Sequence, residues 1–243
     1  VSLILGRNTE LQIDSLWVYL NELEQTRLPD GLEKKGGFEL KPIKRPIVFR
    51  TFMEGAGTHA IAIGFPSGVH AAFDSEVVGW TTLWRGKFLD AESTWDDRFT
   101  PLTKPLGTNI IKLPPGPAVG LLQDGISWPN GGLQFLGYRL AKDGKPTMIY
   151  RHDKTDITDT LTPKGDGLLR RLEFTGGEGP LWVRLAAAKE FLSSERGVWI
   201  GDNNLTLIAP SAQLRTINGS AELIAPIELK GADKTVMEFQ ILW

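Results

Sequence analysis

Residues 134–186 read QFLGYRLAKDGKPTMIYRHDKTDITDTLTPKGDGLLRRLEFTGGEGPLWVRLA, and this stretch decides the fold class. Short runs rich in β-favouring residues (QFLGYRL, TMIYRH, TDITDTL, LLRRLEF, PLWVRLA) are separated by AKDGKP, PKGDG and TGGEGP. Gly, Pro, Asp and Lys in such short breaks supply the backbone conformations that hairpin turns demand. Within PLWVRLA the side chains alternate: Leu181, Val183 and Leu185 to one side, Trp182, Arg184 and Ala186 to the other. That period of two belongs to a strand buried on one face. The same pattern precedes it in IVFRTFM (47–53), HAIAIGF (59–65), VHAAFD (69–74) and GWTTLW (79–84). It follows in VWIG (198–201), LTLIA (205–209), QLRTI (213–217), AELIAPIEL (221–229) and VMEFQIL (236–242). Many short strands joined by hairpins, with almost no helical period, predict an all-β fold. The expected architecture is an antiparallel two-sheet β-sandwich of the large, supersandwich kind, preceded by one short α-helix. Residues 187–195, AAKEFLSSE, are expected to form a short helix between the sheets.

The helical pattern falls at residues 9–24, TELQIDSLWVYLNELE, where Ile13, Leu16, Trp17, Leu20 and Leu23 share one stripe and Thr9 with Gln12 forms a capping box. Its apolar face requires a docking partner, because an isolated helix of this length is marginal in water. Residues 26–46, TRLPDGLEKKGGFELKPIKRP, have the Pro, Gly and Lys content of a linker. The division expected is therefore a helix at 1–25, a linker at 26–45 and a sandwich at 46–243. The chain starts at Val rather than Met and is expected to be a processed or excised piece of a larger protein.

Composition excludes several classes. A formal net charge of −2, with no basic surplus, argues against nucleic acid or anionic lipid as partner. No run of about 20 apolar residues suggests a membrane span. The chain has no cysteine, so it can hold no disulfide, thiolate metal site or covalently attached haem. It also lacks HExxH, GxSxG and a phosphate-cradling loop ending in GK[ST].

Two chemistries remain open. In the first, Trp80, Trp84 and Trp95, close together in residues 76–98, offer flat π surfaces on which sugar C–H faces stack. Arg85, Arg98, Asp90 and Asp96 offer hydrogen-bond partners to hydroxyls. Four positions apart on one strand, Trp80 and Trp84 are expected to share a core face with Val78 and Thr82. Trp95, in STWDDR, is expected to be exposed. The Pro- and Gly-rich stretch 99–132 is expected to lie over one face or end of the sandwich and to bring in Trp128. The ligand candidates are thus Trp84, Asp90, Trp95, Asp96, Arg98 and Trp128. In the second, carboxylates (Asp96 with Asp97, Asp90 with Glu92, Asp153 with Asp156) or His59 with Asp74 serve as acid and base of a sugar-active enzyme. His59 and His70, placed across a hairpin turning at PSG with Asp74 near, would make a divalent-metal site.

Residues 50–98, together with KPLG (104–107), KLPPGPAV (112–119) and FLGYRLAKDGKPTMIY (135–150), resemble the β-rich domain that follows the haem domain in large c-type cytochromes of planctomycetes and related bacteria. LQIDSLWVYL (11–20) is similar to the helix that closes the haem domain in such proteins. The resemblance implies a periplasmic or secreted accessory domain with no cofactor of its own. Haem c would lie on an upstream domain, which becomes the expected partner beside a polysaccharide or another redox protein. It also implies a docking role for Leu16, Trp17, Leu20 and Leu23.

Overall fold

In the computed structural model the described residues are 37–96, 99–122, 128–129, 131–194, 197–217 and 219–243. The expected helix at 9–24, with its docking residues, and Arg98 lie outside them. Residues Phe38–Trp243 make one compact unit. Its strands begin with β1 (Glu39–Leu40), β2 (Ile47–Met53), β3 (Gly57–Gly64), β4 (Val69–Asp74), β5 (Gly79–Arg85) and β6 (Leu89–Asp90). A single turn of helix, α1 (Glu92–Trp95), is followed by β7 (Thr108–Lys112), β8 (Val119–Gly120), β9 (Leu133–Leu140), β10 (Pro146–His152) and β11 (Thr155–Lys164). Then come β12 (Gly167–Thr175), β13 (Glu178–Ala188), β14 (Phe191–Ser194), β15 (Val198–Gly201) and β16 (Thr206–Ile208). The last are β17 (Gln213–Ile217), β18 (Ser220–Lys230) and β19 (Thr235–Leu242).

The architecture is an all-β sandwich of antiparallel sheets. An eight-stranded sheet runs β14-β15-β16-β19-β12-β11-β10-β9, and a five-stranded sheet runs β2-β3-β4-β5-β7. A four-stranded sheet, β17-β18-β13-β8, and the pair β1-β6 complete the set. The five- and four-stranded sheets are joined by residues 113–120: Leu113 N–H donates to Thr81 O (2.8 Å), Ala118 N–H to Val78 O (3.1 Å), and Arg184 N–H to Ala118 O (2.9 Å). Inward residues of both sheets (Ile61, Phe73, Leu83; Leu181, Val183, Leu223) share one buried cluster with Met148, Leu172, Phe174 and Phe239 of the eight-stranded sheet. Burial of this apolar surface is the main force holding the layers together. The outer face of the five-stranded sheet is buried as well. Phe49, Met53, Ala62, Ala72 and Trp84 pack there with Phe88, Leu89 and Ala91, under Phe38 and Leu40.

One polar network lies inside the sandwich. Asp159 accepts hydrogen bonds from Tyr150 Oη (3.0 Å) and from Arg170 Nε and Nη2 (3.1 and 2.7 Å), and all three side chains are buried. The strands β10, β11 and β12 that carry them are neighbours, so the triad ties three strands where apolar packing alone would leave their register less specified.

Two expectations about side-chain direction are corrected. Opposite β4, Ala72 pairs with Thr82 and Phe73 with Trp80, leaving Thr81 as the extra residue of a β-bulge. The bulge resets the alternation, so Trp80 joins the inter-sheet core and Trp84 the outer cluster. A second bulge, at Leu185 in β13, turns Ala186 into the core beside Leu185. The helix expected at 187–195 is instead strand through Ala188 and again at Phe191–Ser194, where Leu192 and Ile200 face each other across β14 and β15. Among the described residues no helix is long and apolar enough to cross a membrane.

Candidate ligand-binding surface

Alternation in β13 and β18 sends Leu181, Val183, Leu223, Ala225, Ile227 and Leu229 into the core. The opposite face of the four-stranded sheet therefore carries Trp182 and Arg184 from β13 and Glu222, Ile224, Pro226 and Glu228 from β18. Arg215 on β17 stands directly across from Glu222, and Trp182 from Pro226. Trp128 and Pro129 lie against this face. Gly120 faces Pro129 so closely that an added Cβ would lie 2.4 Å from its Cγ.

A cage forms where Trp128 meets the sheet. Its indole N–H donates to Pro117 O (2.8 Å), which fixes the ring plane. The Arg184 and Arg215 guanidinium carbons lie 5.5 and 5.6 Å from the ring centroid, in cation–π geometry. Both guanidiniums also grip Glu222, which is only 4% exposed: Arg184 through Nε to Oε1, Arg215 through Nε to Oε2 (2.8 Å) and through Nη2. A further Arg184 nitrogen donates to Pro115 O. Removing this carboxylate would leave two cations on a poorly hydrated surface. The guanidinium planes are thereby pre-oriented beside a partly exposed indole, the combination that recognises a ligand with apolar faces and ring-edge hydroxyls.

The residues expected at a ligand site are dispersed among different places. Trp84 is 0% exposed and donates its N–H to Lys87 O and Phe88 O, so it cannot touch a ligand. Asp90 uses Oδ1 to accept the Glu92 N–H (2.8 Å) at the start of α1, and Asp96 closes the same turn. Trp95 is 40% exposed, with its ring against Phe38 and Phe49 in the outer cluster. Trp128 stands on the four-stranded sheet. Trp95 and Trp128 thus stand on different sheets, and the candidate ligand residues are not brought together in one site. Sequence reasoning missed Arg184, Arg215, Glu222 and Trp182 as site residues. Two signals pointed to them: PLWVRLA already puts Trp182 and Arg184 off the core, and a Glu within AELIAPIEL needs a cation wherever it is buried.

The expected metal trio is likewise separated. Gly64 pairs with His70 next to the PSG turn, whereas Ala60 pairs with Asp74 at the far end of the hairpin, beyond which lies His59. His59 is exposed and contacts Glu76 (3.0 Å). Asp74 Oδ1 accepts the Glu76 N–H (2.9 Å). Among the described residues no group of three His, Cys, Asp or Glu could hold a metal ion.

His70 borders a small cavity of about 190 Å³ lined by Phe65, Phe88, Glu39 and Lys87, but both of its nitrogens are engaged. Nδ1 accepts the Phe65 N–H (3.2 Å), so Nε2 carries the proton and donates to Gly86 O (2.7 Å). Burial, partly opposed by that carbonyl, pushes the His70 pKa down. A neutral imidazole saturated in this way is a poor general base. Asp156 is bound to Arg151 (2.6 Å), and Asp153 sits with a positive φ (49°) in the turn between β10 and β11. The described carboxylates proposed for acid–base work thus serve turns, α1 or ion pairs.

No protein-family model and no curated protein sequence matches this chain. Among solved structures, a polysaccharide lyase is similar over 82% of this chain and 32% of its own length, with 13% identity and a TM-score of 0.36. So distant a likeness bears on neither the site nor its chemistry. What fold and surface define is an antiparallel β-sandwich that displays a caged tryptophan on its four-stranded sheet.

Proposed function

We propose that this chain is a non-catalytic binding module that recognises carbohydrate at Trp128. The observation that supports the reading most directly is the cage itself. An indole is fixed by its own N–H and flanked by two guanidiniums, which a desolvated carboxylate holds in place. Such a surface offers a stacking face and rigid donors without an ordering cost at the moment of binding. As a further part of the proposal, the module accompanies an upstream haem domain in a periplasmic or secreted c-type cytochrome. That part rests on the resemblance carried by residues 50–98, 104–107, 112–119 and 135–150.

The test is affinity electrophoresis through gels that contain soluble plant, algal and bacterial polysaccharides. Retardation of the wild type by at least one glycan, lost in Trp128→Ala and kept in Trp95→Ala, is the expected result. Equal mobility of wild type and Trp128→Ala in every gel would remove the basis of the proposal.

A further inference from the structure

The surface does not end at the cage. The same face of β18 carries, at every second position, Glu222 and Ile224, both buried, then the partly exposed Pro226 and the exposed Glu228 and Lys230. Next to Arg184 along β13, and opposite Pro226, stands the partly exposed Trp182. Beyond that pair lies an open depression of about 720 Å³, lined by Pro226, Glu228, Lys230, Asp233, Lys234 and Thr235. Its size is that of a small-molecule site, although its walls are polar and charged where such sites are mostly apolar. From Glu222 to Lys230 the strand covers about 26 Å at roughly 3.3 Å per residue.

We infer that the ligand is an internal stretch of an extended polysaccharide chain, laid along β18 across successive subsites. Trp128 with its cage forms the first subsite, Trp182 with Pro226 the second, and the charged depression takes the hydroxyl-rich remainder. A terminal sugar would use the cage alone, and nothing would then be gained from an aromatic and a polar trough continuing in line with it. The depression suits hydroxyl groups because Glu228, Lys230, Asp233 and Lys234 supply acceptors and donors of both signs. The inference rests on the glycan reading of Trp128.

The experiment measures affinity for linear oligosaccharides of two to eight units cut from cellulose, xylan, mannan, pectin, alginate and peptidoglycan backbones. Wild type is compared with Trp128→Ala, Trp182→Ala and the double variant Glu228→Ala/Lys230→Ala, whose two positions are exposed and safe for folding. For the backbone that binds, affinity is expected to rise by tenfold or more from dimer to hexamer. The double variant should flatten that rise, Trp182→Ala should weaken the dimer and the hexamer, and Trp128→Ala should weaken every length. Equal affinity for dimer and hexamer, or a hexamer indifferent to both the Trp182→Ala and the double variant, would overturn the extended track and leave the Trp128 reading standing. Binding to no member of the series would overturn both.

Discussion

Replacing Asp159 by Asn should cost more stability than replacing both Asp159 and its partner Arg170 with apolar residues. Asp159 is 0% exposed and accepts three hydrogen bonds, two of them from Arg170, which is itself buried. In Asp159→Asn the guanidinium loses its counter-charge without regaining water, and breaking a buried pair in this way costs about 3–5 kcal/mol. An Asn oxygen still accepts a bond or two, which places the expected loss near the lower end, about 3 kcal/mol. Against a typical domain stability of about 5–15 kcal/mol, that loss is readily measured. Tyr150→Phe removes a single bond to a carboxylate that keeps its two guanidinium contacts, and should cost about 1.5 kcal/mol. The double variant Asp159→Leu/Arg170→Met removes both charges and should fall within about 1 kcal/mol of the wild type. The assay is urea unfolding at pH 7, with the slope unchanged and the midpoint shifted. A loss below about 1 kcal/mol in Asp159→Asn, or a double variant worse than the single one, would refute the reasoning. Burial, reinforced by the Asp159 charge, raises the Tyr150 pKa well above the ordinary value of about 10. Stability from the neutral phenol is therefore complete below about pH 10 and is lost as pH rises further, an alkaline fall that Tyr150→Phe should abolish.

Acid behaviour follows the opposite sign. His70 is held neutral by burial, with its pKa below the ordinary value of about 6.5, so the unfolded chain binds the proton first. Stability should be complete above about pH 6.5 and fall as pH drops through the folded value. The half-buried His152 adds to this in the same direction, again through burial. His70→Gln in a His152→Gln background should flatten unfolding midpoints between about pH 7 and 5, and an unaltered acid slope would contradict the assignment. Gly120→Ala tests the seating of Trp128: the new Cβ would press on Pro129, next to Trp128. It should weaken glycan binding by about tenfold with under about 1 kcal/mol lost in stability, since the displaced ring lies outside the core. Binding equal to wild type would mean that the position of Trp128 does not matter.

The sheets were legible because alternation and hairpin turns are local signals. Leu181, Val183 and Leu185 lie in the core as their spacing demands, and the turn residue Gly144 adopts the positive φ (85°) that favours glycine. Bulges are not local in this sense. Whether Thr81 is accommodated opposite Ala72 and Phe73 depends on the partner strand, so the faces of Trp80 and Trp84 could not be read from GWTTLW alone. AAKEFLSSE reads as helical by propensity, yet cross-strand pairing with VWIG overrides it. The site was the least legible part. Trp128, Arg184, Arg215 and Glu222 span 95 positions of the chain (128 to 222 inclusive), and only the pairing of β13, β17 and β18 brings them together. Composition drew attention to residues 76–98, whose tryptophans are divided: Trp80 lies in the inter-sheet core, Trp84 in the outer cluster, and Trp95, the last residue of α1, is exposed.

The most direct test of the central claim is a tryptophan-fluorescence titration of the wild type and of Trp128→Ala with the soluble polysaccharides used for electrophoresis. The account predicts a saturable shift with at least one glycan that disappears in Trp128→Ala and persists in Trp95→Ala. A shift that survives the loss of Trp128, or that Trp95→Ala abolishes, would contradict it.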